Sequence, residues 1–271
     1  MRVAVVGSGG AGKSVISGLL ARLLACSGRK VLAVDLDPNP GLAWSIGVTP
    51  SDEGLPDGVV TLREGGLYGW GLAEGIDPAE GAERFSTPGP DGIHYLCPGK
   101  IDRADHTVTH SLGAVQAILD ATDASWDIVG DIEAGTTCPY EGYTRFADQA
   151  VVVVTQAWRS GLAGERLAKL LCDIPVTVVG SQLRDGREPA RLRPVVRVPY
   201  DPAVANAEEL GSATLDTCAH SPVVAAVGEL VAQLMAIEAR GVGGHGVGGH
   251  GVGPTLVGTG REEQLSKTPH T

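Results

Sequence analysis

Gly7-Ser8-Gly9-Gly10-Ala11-Gly12-Lys13-Ser14 follows the short apolar run Val3-Ala4-Val5-Val6 and opens a stretch of helical periodicity. In that stretch Val15, Ile16, Leu19, Leu20, Leu23 and Leu24 recur at helical spacing, and Gly28 stands where a helix should stop. Strand, glycine turn and helix in this order carry the pattern G-x-x-x-x-G-K-[ST] of a phosphate-binding loop. Its glycines let backbone N–H groups converge on phosphate oxygens, and the helix N-terminus behind them adds partial positive charge. On this reading Lys13 sits on the β/γ-phosphates and the Ser14 hydroxyl ligates Mg²⁺. The same residues also spell G-x-G-x-x-G through Gly7, Gly9 and Gly12, with Asp35 and Asp37 near the distance of a ribose-binding acid. An NAD-type oxidoreductase is therefore the competing reading. The pair Lys13-Ser14 favours the phosphate loop, because a dinucleotide site has no use for it.

A chain of 271 residues can bury one large core, and residues 1–240 read as a single nucleotide-binding domain. The net charge of −11 argues against a general nucleic-acid surface, which needs a basic footprint. No apolar run approaches the roughly 20 residues that span a bilayer, so no membrane partner is expected. Five scattered cysteines without a C-x-x-C pair suggest reduced thiols and a cytoplasmic protein. Beyond Arg240 the unit Gly241-Val242-Gly243-Gly244-His245 repeats with a period of five, and residues 241–271 read as a Gly/His-rich disordered tail.

Between these limits, apolar runs alternate with helical patterns. Val31–Asp35, residues 93–97, 126–131, 150–155, 176–179 and 195–198 read as strands, and the aspartate loop 35–41 follows the second of the chain's strands. Helices are expected over about 107–121, 162–171 and 223–240, the last with Val227, Leu230, Val231 and Leu234 on one stripe. Residues 48–92 read as an irregular excursion with one short helix. Alternation of this kind implies an α/β fold with a mostly parallel sheet and helices on both faces. Right-handed crossovers then bring the phosphate loop and the aspartate loops to one rim.

The double glycine Gly9-Gly10 and the Asp35-Leu36-Asp37-Pro38 loop resemble the deviant Walker A ATPases of the MinD/ParA class, with their three-layer P-loop NTPase fold. Within that class the chain is similar to the nickel-insertion accessory ATPases of carbon monoxide dehydrogenase. Three segments carry this likeness: Val34-Asp35-Leu36-Asp37-Pro38-Asn39-Pro40, Asp131-Ile132-Glu133-Ala134-Gly135 and Val198-Pro199-Tyr200-Asp201-Pro202-Ala203-Val204. The resemblance implies an ATP- and Mg²⁺-dependent switch, in which two subunits face each other across the nucleotide and a partner protein is loaded or regulated. It assigns Lys13 and Asp37 to catalysis, with Asp37 orienting the attacking water. Ser14, Asp37 and Asp131 would serve the metal, and Gly135 would sense the γ-phosphate. Gly9, Gly10, Ala11, Gly12 and Val15 would cradle the phosphates, and Ser181, Gln182, Pro199, Tyr200 and Asp201 would meet the base.

Three positions depart from the family pattern. Ser8 stands where the class has a lysine that reaches across the dimer. A non-hydrolysing nucleotide-binding module is therefore the alternative function, unless Arg145 or Arg159 substitutes. The C-x-C pair of the nickel-handling members is missing from the region Asp105–His110, and Ser181 replaces the asparagine expected beside adenine. His106 and His110, four residues apart, could share a metal on one helix face. Cys26, Cys138 and Cys172 read as small buried residues, Glu133 as a solvated charge or a loop contact, and Asp201 as a possible cap of the helix begun by Pro202.

Overall fold

The computed structural model describes residues 1–37, 41–49, 54–56, 58–67, 70–99, 108–242 and 256–257. In chain order the elements are β1 (Arg2–Gly7), α1 (Lys13–Cys26), β2 (Lys30–Leu36), α2 (Leu42–Ile46), β3 (Val60–Leu67) and β4 (Trp70–Leu72). There follow α3 (Gly81–Phe85), β5 (Thr87–Pro88), β6 (His94–Leu96), α4 (Val108–Ala121), β7 (Trp126–Ile132), α5 (Thr137–Tyr140) and β8 (Gln149–Val154). The last are α6 (Trp158–Leu170), β9 (Val176–Leu183), β10 (Val196–Pro199), α7 (Pro202–Glu209), α8 (Thr214–Thr217), α9 (Pro222–Val242) and β11 (Leu256–Val257).

The main sheet runs β10-β9-β8-β1-β7-β2-β6-β5, parallel except for the edge pair β5–β6. Its strands read as unbroken apolar runs because both faces are covered. Along β1 the pleat sends Val3 and Val5 to one face and Ala4 and Val6 to the other, and all four are fully buried. The first face packs on Ile16, Leu19 and Leu20 of α1 and on Val227 and Leu230 of α9. The second packs on Val115, Ile118 and Leu119 of α4 and on Leu167 of α6. The fold is the three-layer arrangement that the alternation implies. Helix α1 ends as expected: Gly28, at φ 87°, turns the chain in the left-handed region and donates to the Ala25 carbonyl.

Three expectations are corrected. The excursion 48–92 contains the antiparallel hairpin β3–β4, which lies against α4 and buries Leu72. Helix α9 is long and apolar enough, by length and composition, to cross a membrane; in this fold it buries Val223, Val227, Leu230 and Leu234 against the core. Cys26 is exposed at the end of α1, because the helix's apolar stripe has turned past it, and Cys172 is half-buried just beyond α6. Of the segment 241–271, Gly241 and Val242 complete α9, and Leu256–Val257 pairs in parallel with Val176–Thr177 of β9. The rest of that segment lies outside the described residues, as does His106, and the side chain of His110 is likewise outside them.

Candidate nucleotide site

The phosphate loop leaves β1 at Gly7 and returns to helix at Lys13. Two of its glycines, Gly10 at φ 70° and Gly12 at φ 85°, adopt left-handed backbone that ordinary residues avoid. Gly12 is also closely packed: a Cβ there would sit 3.1 Å from the Ser181 hydroxyl. The loop is pinned from the side by Gln182, whose Nε2 donates to the Gly10 carbonyl at 2.9 Å. Across the rim the Gly135 N–H donates to the Gly7 carbonyl at 3.1 Å.

Two carboxylates stand behind the loop. Pairing of β2 with β7 puts Asp35 directly opposite Asp131, and both are buried. Burial, and the charge of Asp131 beside it, push Asp35 up to about 8. Its two oxygens accept the backbone N–H groups of Asp37 at 3.2 Å and Leu42 at 2.9 Å. Asp35 therefore shapes the aspartate loop and holds Asp37 at the rim. Burial also pushes Asp131 up, to about 6, against hydrogen bonds from Ser14 and Ser17 and the nearby charge of Lys13. Lys13 itself is only 8% exposed. Its buried ammonium thus lies near a buried carboxylate, as a desolvated charge requires.

In front of these groups lies a cleft of about 470 Å³. Of the residues that the sequence singled out, it is lined by Gly9, Gly10, Gly12, Lys13, Ser14, Val15, Asp37, Ser181, Gln182, Pro199, Tyr200 and Asp201. Ala11 is buried beneath the loop, and Ala134 rather than Gly135 faces the cleft. Asp201 caps α7 by accepting from the Ala203 N–H at 2.9 Å, and takes the Ser221 hydroxyl at 2.6 Å. The oxygen donors Ser14, Asp37 and Asp131 suit a small hard cation such as Mg²⁺. The volume and the left-handed loop suit a nucleoside phosphate.

The structure also brings in residues that the sequence reading had not named. Glu208 of α7 lines the same cleft, beside Val204 of the segment already quoted, and Ser45 of α2 donates to Glu208 at 3.2 Å. Helical spacing from the Asp201 cap, one turn to Val204 and another to Glu208, was the available signal. Ser8 turns away from the cleft to share a hydrogen bond of 2.9 Å with Ser160. Arg145 is held by Asp120 at 2.8 Å, and Arg159 lines a neighbouring cleft that shares Gly9 and Gly10. Cys138 donates to Glu133 at 3.1 Å, and burial together with that carboxylate raises the thiol pKa. Among the described residues no cluster of three or more histidines, cysteines or carboxylates is arranged to hold a metal by itself.

Residues 3–215 match the family model described as the CobQ/CobB/MinD/ParA nucleotide binding domain. The chain belongs to this family. It is 29% identical over 245 residues to the carbon monoxide dehydrogenase accessory protein CooC of Rhodospirillum rubrum, covering 80% of this chain and 90% of the relative. An uncharacterized ATP-binding protein of Methanocaldococcus jannaschii is 24% identical over 248 residues, covering 78% of this chain and 90% of the relative. In fold the chain is similar to the septum site-determining protein MinD of Pyrococcus horikoshii, solved with Mg-ADP. That likeness has a TM-score of 0.68 at 16% identity and covers 88% of this chain and 97% of that one. The dinucleotide alternative fails on topology as well. In the dinucleotide fold the first strand neighbours the second, whereas here β7 lies between β1 and β2.

Proposed function

We propose that the chain is a Mg-ATP-dependent ATPase that works as a nucleotide-switched homodimer, facing its second copy across the nucleotide, and that it loads or regulates a partner protein. Its five cysteines are all free, which suits action in the cytoplasm. The observation that carries this reading is the convergence of Lys13, Ser14, Asp37 and Asp131 beneath the left-handed turn at Gly10 and Gly12. In this reading Lys13 and the loop N–H groups hold the phosphate tail, and Ser14, Asp37 and Asp131 hold magnesium. The cation would neutralise charge on the phosphates. Asp37 orients a water, and Asp35 keeps Asp37 in position through its backbone. Phosphoryl transfer asks mostly for positioning and charge neutralisation, which these groups supply. The wall of Ser181, Gln182, Pro199 and Tyr200 takes the base. The likeness to CooC favours a client in metalloenzyme maturation.

Isothermal titration with Mg-ATP tests the binding step. Heat of binding that disappears in Lys13→Ala supports it, and no binding by the wild type overturns it. Phosphate release abolished by Asp37→Ala tests hydrolysis, and light scattering with and without Mg-ATP tests dimerisation.

A second reading, a nucleotide-binding module that docks without hydrolysis, is favoured by Ser8, which is uncharged and engaged with Ser160. It predicts tight binding of Mg-ATP with no phosphate released by the wild type.

A further inference from the structure

Helix α1 carries a buried hydroxyl within its apolar stripe. Ser17 stands among Ile16, Leu19 and Leu20, and like them it is shut off from solvent. A serine inside a helix ordinarily turns its hydroxyl out to water or back to the carbonyl four residues earlier. Ser17 does neither. Its Oγ donates to Oδ1 of Asp131 at 3.2 Å, on a strand 114 residues further along the chain. An alanine would suit the helix better and bury no polar group, so the hydroxyl's use lies at Asp131.

The backbone of Asp131 is fixed by the ladder, since β7 runs between β1 and β2 and sets this residue opposite both Val5 and Asp35. The setting of its carboxyl then depends on the groups that bond it. Ser14 and Ser17, three positions apart, lie on one face of α1, and both hydroxyls bond the Asp131 carboxylate. A hydroxyl has one proton to give and two lone pairs to offer. With its proton on Asp131, Ser14 keeps its lone pairs for a cation. Ser17 is not among the residues that line the cleft, so it reaches the cation only through Asp131.

We propose that Ser17 is a positioning residue of the magnesium site. By holding Oδ1 it fixes the rotation of the Asp131 carboxyl, which then takes the Ser14 proton and leaves the Ser14 oxygen turned to the cation. This rests on the Mg-nucleotide reading above and adds a residue to it. Groups that orient a metal's ligands in this way are commonly worth 10- to 100-fold in metal affinity.

The full chain, titrated with the fluorescent analogue N-methylanthraniloyl-ADP in chelator and then at rising Mg²⁺, tests the role without any turnover. Ser17→Ala should raise the Mg²⁺ midpoint by about tenfold and leave nucleotide affinity in chelator within about twofold. Ser17→Cys fills nearly the same space with a weak donor and should match Ser17→Ala, whereas Ser17→Thr keeps the hydroxyl and should restore most of the Mg²⁺ response. Thermal melting of each variant without nucleotide separates this effect from loss of the fold: a hydroxyl that merely satisfies a buried carboxylate would lower the melting temperature and leave the midpoint where it was. Equal Mg²⁺ midpoints for wild type and Ser17→Ala, or a loss of affinity as deep in chelator as in Mg²⁺, would overturn the proposal. No binding of the analogue by the wild type under either condition would instead strike the nucleotide reading itself, and this proposal with it.

Discussion

On the inner side of the phosphate loop Lys13 and Asp131 are 8% and 1% exposed and interact with each other, whereas on the outer side Arg159 and Arg184 lie open to solvent. Both sides touch Gly9 and Gly10, but the inner side sets Lys13 among carboxylates while the outer side carries arginines alone. They differ in dielectric. Desolvated charges interact strongly and are little affected by salt, while exposed charges are screened within about 10 Å at 0.1 M salt. The inner side is therefore suited to holding a fixed ligand tightly, and the outer side to reversible, salt-sensitive recognition. One short loop borders two such different environments because its backbone is shared and its flanking side chains are not.

The most severe test of this contrast is Lys13→Ala. It removes the buried cation and leaves Asp131 without its nearest positive charge, so Mg-ATP affinity should fall at least about a hundredfold, or about 3 kcal/mol. Calorimetric titration at two salt concentrations measures it. A loss of Mg-ATP affinity smaller than that of Arg159→Glu would reverse the order of the two sides.

Glycine substitutions sharpen the comparison on the backbone itself. A Cβ on Gly7 would lie 2.5 Å from the Val153 carbonyl oxygen, in the middle of the sheet. Gly7→Ala should therefore destabilise the protein by roughly 2–3 kcal/mol. A Cβ on Gly9 would meet nothing closer than Ala134 Cβ at 3.9 Å, so Gly9→Ala should leave denaturant midpoints almost unmoved. Equal midpoints for the two variants would show that β1 can shift to make room.

Much of this architecture is legible in the sequence, for a physical reason. Val3–Val6, Val31–Val34 and Ala150–Val154 are apolar at every position because helices cover both faces of their sheet, and such runs admit few other readings. The loop between β1 and α1 is legible because only glycine tolerates its dihedrals. The hairpin β3–β4 is not, since Leu62 is 70% exposed and Gly65-Gly66 interrupts the alternation; its stability comes from α4, distant in sequence. The cleft divides in the same way. Lys13, Ser14 and Asp37 follow from local pattern. The role of Asp35 depends on its register against Asp131, and that of Glu208 on which helix closes over the cleft.

Asp35 yields the next prediction, about the inner side alone. Its carboxyl is raised from 3.8 to about 8, so the native state binds its proton more tightly than the unfolded chain. That contribution is fully present below pH 3.8 and declines as pH rises toward 8. In chelator, urea unfolding of the wild type should show stability falling across this window with a slope of up to about 1.4 kcal/mol per pH unit. Asp35→Asn should flatten the fall, because a neutral amide still offers an oxygen to Leu42 or Asp37 without a charge to bury. A slope unchanged in the variant would assign the titration to Asp131.

The smallest effect belongs to the hydrogen bond that ties the phosphate loop to α6. Ser8 leaves the phosphate loop to meet Ser160 at 2.9 Å, and Ser160 also accepts the Thr155 N–H at 3.0 Å. Ser8→Ala removes the first of these and leaves Ser160 satisfied by the second. The cost should then be no more than about 1 kcal/mol of stability, as for other solvent-accessible hydrogen bonds. Mg-ATP affinity should stay within about twofold, since the nucleotide is not held by this hydroxyl. Urea unfolding and calorimetric titration with Mg-ATP, on wild type and variant, check both figures. A loss of affinity well beyond twofold would show instead that the tie to α6 holds the phosphate loop in its binding shape.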